Sequence, residues 1–256
     1  MNFNKNIKAR LSIKGEVISK RRWFCGSFVS NSIAKFGVLL FLVLGITLSG
    51  FSQISNKRRV LVIPASQFEF VTEFDLQVIA DLNGVAAAKV FLTYEKALLN
   101  SFETYNDENF EFVPVDAAGL KPYKRLIKYE YGKFNKKHYN GVNLKGFTQE
   151  DFTKLMAQYN ADFVLFITWY DIQKESFTRN GKYLKRAFYA GHYMDFAIYN
   201  LFKQQVAGVA KVKAEGPLEP NDLEVSFKFL RIKELKLGYT NFIGKVVDQL
   251  NKPIEE

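Results

Sequence analysis

Apolar and polar side chains alternate most densely between Ala161 and Lys213, and the pattern predicts the centre of a sheet. From Asp162 to Ile172 the chain reads Asp-Phe-Val-Leu-Phe-Ile-Thr-Trp-Tyr-Asp-Ile. In a regular strand Phe163, Leu165, Ile167 and Trp169 point one way, and Val164, Phe166, Thr168 and Tyr170 the other. Both faces are then apolar, as a strand covered on both sides requires. Asn180-Gly181 follows at a basic tip, a dipeptide that accepts the two positive φ angles of a type I′ hairpin turn. Further runs from Gly191 to Phe202 and from Val206 to Lys213 complete a meander.

Around this centre the periods change. Val60-Leu-Val-Ile, ended by Pro64, predicts a buried first strand, with Lys57-Arg58-Arg59 as its solvated entry. Ser66 to Asp81 has a mixed pattern and reads as loop with a helical turn. Val85, Ala88, Leu92, Leu99 and Phe102 fall on one face of a helix of about 18 residues, with Asn83-Gly84 at its start. Phe110 to Asp116 predicts another strand, which Pro114 assigns to an edge or a strand end. At Thr148 a helix begins: Thr148 and Asp151 form the cap, Phe147 staples to Phe152, and Phe152, Leu155, Met156 and Tyr159 make the apolar stripe. That helix feeds the central strand and should pack on the sheet. Gly216-Pro217-Leu-Glu-Pro220 is a break, and Leu223 to Leu237 shifts from alternation to helical spacing. The last helix carries Tyr239, Phe242, Ile243, Val246, Val247 and Leu250, with Pro253 as its stop. The fold class predicted is a single-domain α/β sandwich: a mixed, largely antiparallel sheet with a long central hairpin and helices packed on it.

Composition adds a compartment. The chain has 256 residues, 48% of them hydrophobic, and its 25 Phe and 13 Tyr favour strands with large core side chains. Of the net charge of +10, residues 1–52 contribute +7, so the basicity belongs to a leader rather than to a nucleic-acid-binding body. Phe36 to Phe51 is uncharged and apolar, and the small residues Gly50 and Ser52 precede Gln53, which fits cleavage after Ser52. A membrane span needs about 20 apolar residues, so a signal peptide is the better reading than a retained anchor. Arg21-Arg22-Trp23-Phe24 resembles part of a twin-arginine signal, at an unfavourable distance from the apolar core. The expected division is a leader over residues 1–52 and one exported domain over 53–256, in the periplasm or at the outer membrane. Cys25 precedes the apolar core, so the exported part has no thiol and no disulfide.

Candidate chemistry is sparse. His138 and His192 have no ligand-like neighbours, no serine sits in a Gly-x-Ser-x-Gly elbow, and Gly238 to Lys245 departs from a phosphate loop in spacing. No catalytic residue, metal site or cofactor is predicted. Asp162, Asp171 and Asp195 lie in or beside the central strands, and an Asp171–Asp195 pair would serve a hydrolase of envelope polymers. Asp195 stands mid-strand among apolar residues, so it should face outward or have a partner such as Lys211. The odd segment is Lys121 to Lys145, an insertion loop with eight basic residues, five aromatics and one acid, Glu130. Its Tyr123, Lys124, Arg125, Lys128, Lys133, Lys136, Lys137 and Tyr139 are the candidate binding residues, suited to an anionic lipid or polysaccharide. The alternative is a solvated excursion whose aromatics fold back onto the body.

At Ala161-Asp162-Phe163-Val164-Leu165, a polar hairpin, His192 to Asn200 and Val206-Ala-Gly208, the sequence resembles a group of bacterial envelope domains. The group comprises the TolB amino-terminal domain, the periplasmic domain of the curli-secretion lipoprotein and the penicillin-binding-protein activators. The resemblance covers residues 57 to 251 in element order and implies an α/β sandwich that binds an envelope protein. It implies no catalytic residues. The lipidated cysteine of those lipoproteins is missing here, so anchoring and pore formation are not implied.

Overall fold

A computed structural model describes residues 57–178, 186–214, 216 and 225–252. The predicted leader, the turn expected at Asn180-Gly181, and Pro217, Pro220, Leu223 and Pro253 lie outside the described residues. The elements are β1 (Arg58–Ile63), β2 (Phe70–Thr72), α1 (Leu76–Asn83), α2 (Val90–Glu103), β3 (Phe110–Pro114), α3 (Ala117–Leu120), β4 (Lys128–Phe134) and β5 (Lys137–Asn143). They continue with α4 (Gln149–Gln158), β6 (Phe163–Thr178), β7 (Arg186–Asn200), β8 (Gln205–Lys213), α5 (Val225–Lys228) and α6 (Lys236–Leu250).

The meander predicted from alternation is the sheet's spine. β6 pairs antiparallel with β7 and β7 with β8, while β1 lies parallel to β6 and β3 parallel to β1. β2 joins the same side of β6 as β1, further along, through Phe70 opposite Tyr170. The order is β3-β1-β6-β7-β8, so Pro114 ends an edge strand, where its missing N–H costs no ladder bond.

The fold class stands: a mixed sheet, mostly antiparallel, with helices packed on it. On one face Val60, Val62, Leu165, Ile167, Met194, Phe196 and Ile198 meet α1, α2 and α6. On the other, Leu61, Ile63, Val164, Phe166, Ala197 and Tyr199 meet α4 and the β4–β5 hairpin.

Strand β6 is less regular than its alternation suggests. Its register with β7 shifts between Ile167 and Trp169, and beyond that bulge Tyr170 and Ile172 join the face of Leu165 and Ile167. One extra residue reverses the side on which every later side chain falls. Tyr170 therefore lies on the opposite face from the one its alternation predicts.

The helix expected from Asn83-Gly84 onward is also corrected. Gly84, at φ +65° and ψ +34°, is the left-handed stop of α1, which occupies the segment read as loop. The next α-helix starts at Val90 and buries Val90, Tyr94, Leu98 and Phe102, leaving Leu92 exposed. α4 forms as its cap predicts, with Thr148 accepting from the Asp151 N–H and the Phe147 and Phe152 rings 5.6 Å apart. α6 buries all six residues of its predicted stripe. Leu223 to Leu237, unassigned from sequence, contains α5 and a 3-10 turn at Ile232–Leu235.

Candidate functional site

The insertion Lys121 to Lys145 is a hairpin rather than a loop. β4 and β5 pair in continuous antiparallel register, from Lys128 opposite Asn143 to Phe134 opposite Lys137. Asn135 and Lys136 close it with φ of +45° and +66°, the two positive φ angles of a two-residue type I′ turn.

The hairpin meets the sheet by an edge of β5. The main-chain N–H of Asn140 donates to Asp195 Oδ2 at 2.8 Å, and the Asn140 carbonyl accepts from the Thr168 hydroxyl. The Asn140 side-chain amide reaches the same Asp195 oxygen at 2.9 Å. Asp195 Oδ1 accepts from the Lys211 main-chain N–H at 2.7 Å, at a bulge of β8 where Lys211 has φ +50°. Lys211 is the partner expected for Asp195, through its backbone rather than its ammonium. Burial without these donors would cost several kcal/mol, as for any unpaired charge in a core.

Two aromatic side chains complete the anchorage. Tyr139 is 4% exposed, and its ring lies against Gly132, Gly141 and Gly208, where a Cβ would approach it to 3.4, 2.9 and 2.9 Å. Its phenol accepts from Gln205 Nε2. Tyr129 donates to the Pro64 carbonyl at 3.4 Å, and burial pushes its phenol pKa up.

The structure thus divides the predicted binding residues. Tyr139 belongs to the core, and Tyr123 is half-buried with its ring 5.3 Å from that of Phe147. Lys124, Arg125, Lys128, Lys133, Lys136 and Lys137 are exposed. Sequence reasoning missed Tyr131, which is 71% exposed and stacks on His138 at 5.3 Å with 6° between the planes. Its signal was there: opposite strand positions two apart in a hairpin present rings to each other.

Asp162, Asp195 and His192 make hydrogen bonds within the fold. Asp162 accepts from the Arg59 N–H at 2.8 Å, and Asp171 from Gln173 Nε2 at 2.6 Å, with burial raising its pKa. Trp169 pairs with Asp195 and Asp171 with Tyr193, so the two carboxylates share a face of the sheet as diagonal neighbours. Asp195 is 3% exposed with both its oxygens occupied, whereas Asp171 is half-buried and accepts on Oδ2.

His192 is buried in a directed chain of hydrogen bonds. The Phe229 carbonyl, 2.8 Å away, only accepts, so His192 Nε2 carries the proton and Nδ1 accepts from Tyr170 Oη at 2.8 Å. Tyr170 Oη in turn accepts from Tyr239 Oη at 2.9 Å. Burial lowers the imidazole pKa to about 4, so the ring is neutral at physiological pH. Tyr94 and Asn83 add bonds to the Leu230 carbonyl at 2.7 and 2.8 Å, fixing the segment that enters α6.

Among the described residues no cluster of His, Cys, Asp and Glu is arranged to hold a metal, and no single helix is long and apolar enough to cross a membrane. A shallow concavity of about 540 Å³ beside α6, lined by Tyr105, Thr240, Asn241, Gly244, Lys245, Asp248 and Lys213, opens widely to solvent. No family model and no curated protein matches the chain. Among solved structures, a hypothetical protein of Chlamydia trachomatis aligns over 76% of this chain and 95% of its own, at 9% identity and a TM-score of 0.31.

Proposed function

We propose that this chain is a non-enzymatic binding module of the cell envelope, exported through its leader, and that hairpin β4–β5 is the surface with which it binds a partner protein. One observation carries the reading: buried Tyr139, half-buried Tyr129 and Asn140 fasten the hairpin to the sheet, whereas its lysines remain in solvent. Fixing the scaffold in advance lowers the ordering cost when a partner arrives. The cations then supply steering and selection for an acidic surface. The sequence resemblance to envelope domains that bind proteins agrees with this role. The exposed Tyr131–His138 stack beside Lys133 favours a second reading, in which the same surface holds an anionic lipid or glycan.

The test uses the full chain in the cells that make it, with a photo-crosslinking amino acid replacing Tyr131 or, as a control on the helical layer, Leu237. A protein adduct should form from position 131, be absent from 237, and disappear when Lys124, Arg125, Lys136 and Lys137 are changed together to Gln. An adduct that survives this neutralisation overturns the assignment of the hairpin. Lipid or glycan recovered in place of protein moves the function to the second reading.

A further inference from the structure

We propose that the outer edge of β4 is a strand-addition site for an extended, acid-rich segment of a partner protein. The proposal rests on the hairpin being the binding surface, and it specifies what binds there and how.

Register decides which backbone groups of β4 are free. In an antiparallel pair, residues directly opposite either exchange both hydrogen bonds or turn both peptide groups away from each other. Asn140 sends its N–H to Asp195 and receives Thr168 on its carbonyl, so the Tyr131–Asn140 pair is of the second kind. The Val142 carbonyl, which accepts from Tyr199 Oη at 3.3 Å, gives the same answer for the Tyr129–Val142 pair. By alternation Lys133, opposite His138, follows them. The N–H and C=O groups of Tyr129, Tyr131 and Lys133 therefore point out along β4's free side. Tyr129 is half-buried beside Pro64, which leaves Tyr131 and Lys133 as the accessible stretch.

Among the described residues β4 pairs with no strand except β5. The two edges of β5 and β4 are thus treated differently: the inner edge is clasped by Asp195 and Thr168, and the outer edge faces solvent. An open edge is a template for another strand.

Charge selects which strand. Lys128, Lys133, Lys136 and Lys137 are exposed on the hairpin, and its one acid, Glu130, accepts from Asn143 Nδ2 at 2.8 Å. A second copy of the chain would bring lysines against lysines, so the edge is protected against self-pairing. An acidic strand meets the same lysines as partners, and the exposed Tyr131 ring offers a flat apolar contact for one of its side chains.

The test measures binding of a capped peptide of alternating Glu and Val to the full chain at low salt. Three comparisons accompany it: the same peptide N-methylated at every second residue, heparin as a polyanion without peptide groups, and vesicles containing anionic lipid. Strand addition predicts binding of the plain peptide and a loss of roughly tenfold or more on N-methylation, since several main-chain hydrogen bonds are lost together. Tyr131→Pro should weaken the plain peptide similarly, because the N–H it removes lies outside the β4–β5 ladder, while Tyr131→Ala keeps that N–H and should lose less. N-methylation leaves the protein untouched, so the outcome does not depend on how the variants fold. Equal affinity for plain and N-methylated peptides overturns the inference, and so does binding of heparin or vesicles without the peptide. If charge neutralisation abolishes crosslinking in cells yet N-methylation has no effect, the binding surface stands and strand addition fails.

Discussion

Asp195 on β7 holds Asn140 on β5 through both the main-chain N–H, at 2.8 Å, and the side-chain amide, at 2.9 Å, although 55 residues separate them in sequence. The same carboxylate takes the Lys211 N–H, so it joins the β8 bulge to the hairpin. Asp195→Ala leaves the Asn140 and Lys211 donors buried without an acceptor and should cost on the order of 2–5 kcal/mol, seen as a lower denaturation midpoint. Hydrogen exchange of the β5 amides should accelerate more than that of β1. Asp195→Asn keeps one acceptor oxygen and should cost less. If both variants unfold like the parent chain, the carboxylate does not hold the hairpin.

The His192 chain makes stability depend on acidity in one window. The folded imidazole has a pKa of about 4 against 6.5 for a free one, so as pH falls the unfolded chain takes up the proton first. Stability from this group is complete above about pH 6.5, falls as pH drops towards about 4, and levels off below. Its full size is roughly 3 kcal/mol, because a pKa difference of one between the folded and unfolded chain corresponds to about 1.36 kcal/mol. His192→Gln should lower stability at neutral pH and flatten the dependence between about pH 6.5 and about pH 4. The measurement is urea denaturation of both proteins across that range, and parallel pH curves would show that His192 is not the group responsible.

At Gly208 the hairpin lies directly against β8. An added Cβ would stand 2.8 Å from the Phe134 Cβ and 2.9 Å from the Tyr139 Cε1. Tyr139 is boxed in by Gly132 and Gly141, so it cannot swing aside. Gly208→Ala should therefore destabilise by about 1–3 kcal/mol, the range of overpacking. It should also raise the fluorescence accessibility of the hairpin tyrosines to a soluble quencher. Gly84→Ala provides the contrast: nothing lies within 4 Å of its Cβ, so any cost there is backbone strain at φ +65° alone. A Gly208→Ala protein with unchanged midpoint would mean that the hairpin is not seated on Gly208.

The long helices were legible in the sequence from local signals: Thr148 with Asp151 adds a cap to its apolar stripe, and the stripe from Tyr239 to Leu250 stands on helical spacing alone. The meander was legible from alternation alone, but not its faces: the bulge at Thr168 reverses them, and there the Thr168 hydroxyl meets Asn140, a residue of a separate segment. Asn83-Gly84 was misread because Asn-Gly suits either end of a helix; the choice is made by Asn83 reaching Leu230 and Ile232, 147 and 149 residues away. In the hairpin, the exposed lysines follow from composition, whereas the burial of Tyr139 depends on Gly208 of β8 as well as on Gly132 and Gly141 beside it. Local rules do not see contacts between distant segments.

The apolar run proposed as part of a leader would, as a helix, be shorter than a membrane is thick. Phe36 to Phe51 is 16 residues, and a helix of that length spans about 24 Å, short of a hydrocarbon core about 30 Å thick. Gly50 and Ser52 present the small side chains a signal peptidase needs, whereas the body that follows begins its first strand only at Arg58. Cleavage after Ser52 would leave Gln53 to Lys57 ahead of that strand. Amino-terminal sequencing of the protein recovered from fractionated cells should begin at Gln53, in a soluble or outer-membrane fraction. Changing Ser52 and Gly50 together to Leu should leave the uncut chain in the inner membrane. Recovery of a chain beginning at Met1 in the cytoplasm would remove the export step, and with it the envelope as the place where the hairpin meets its partner.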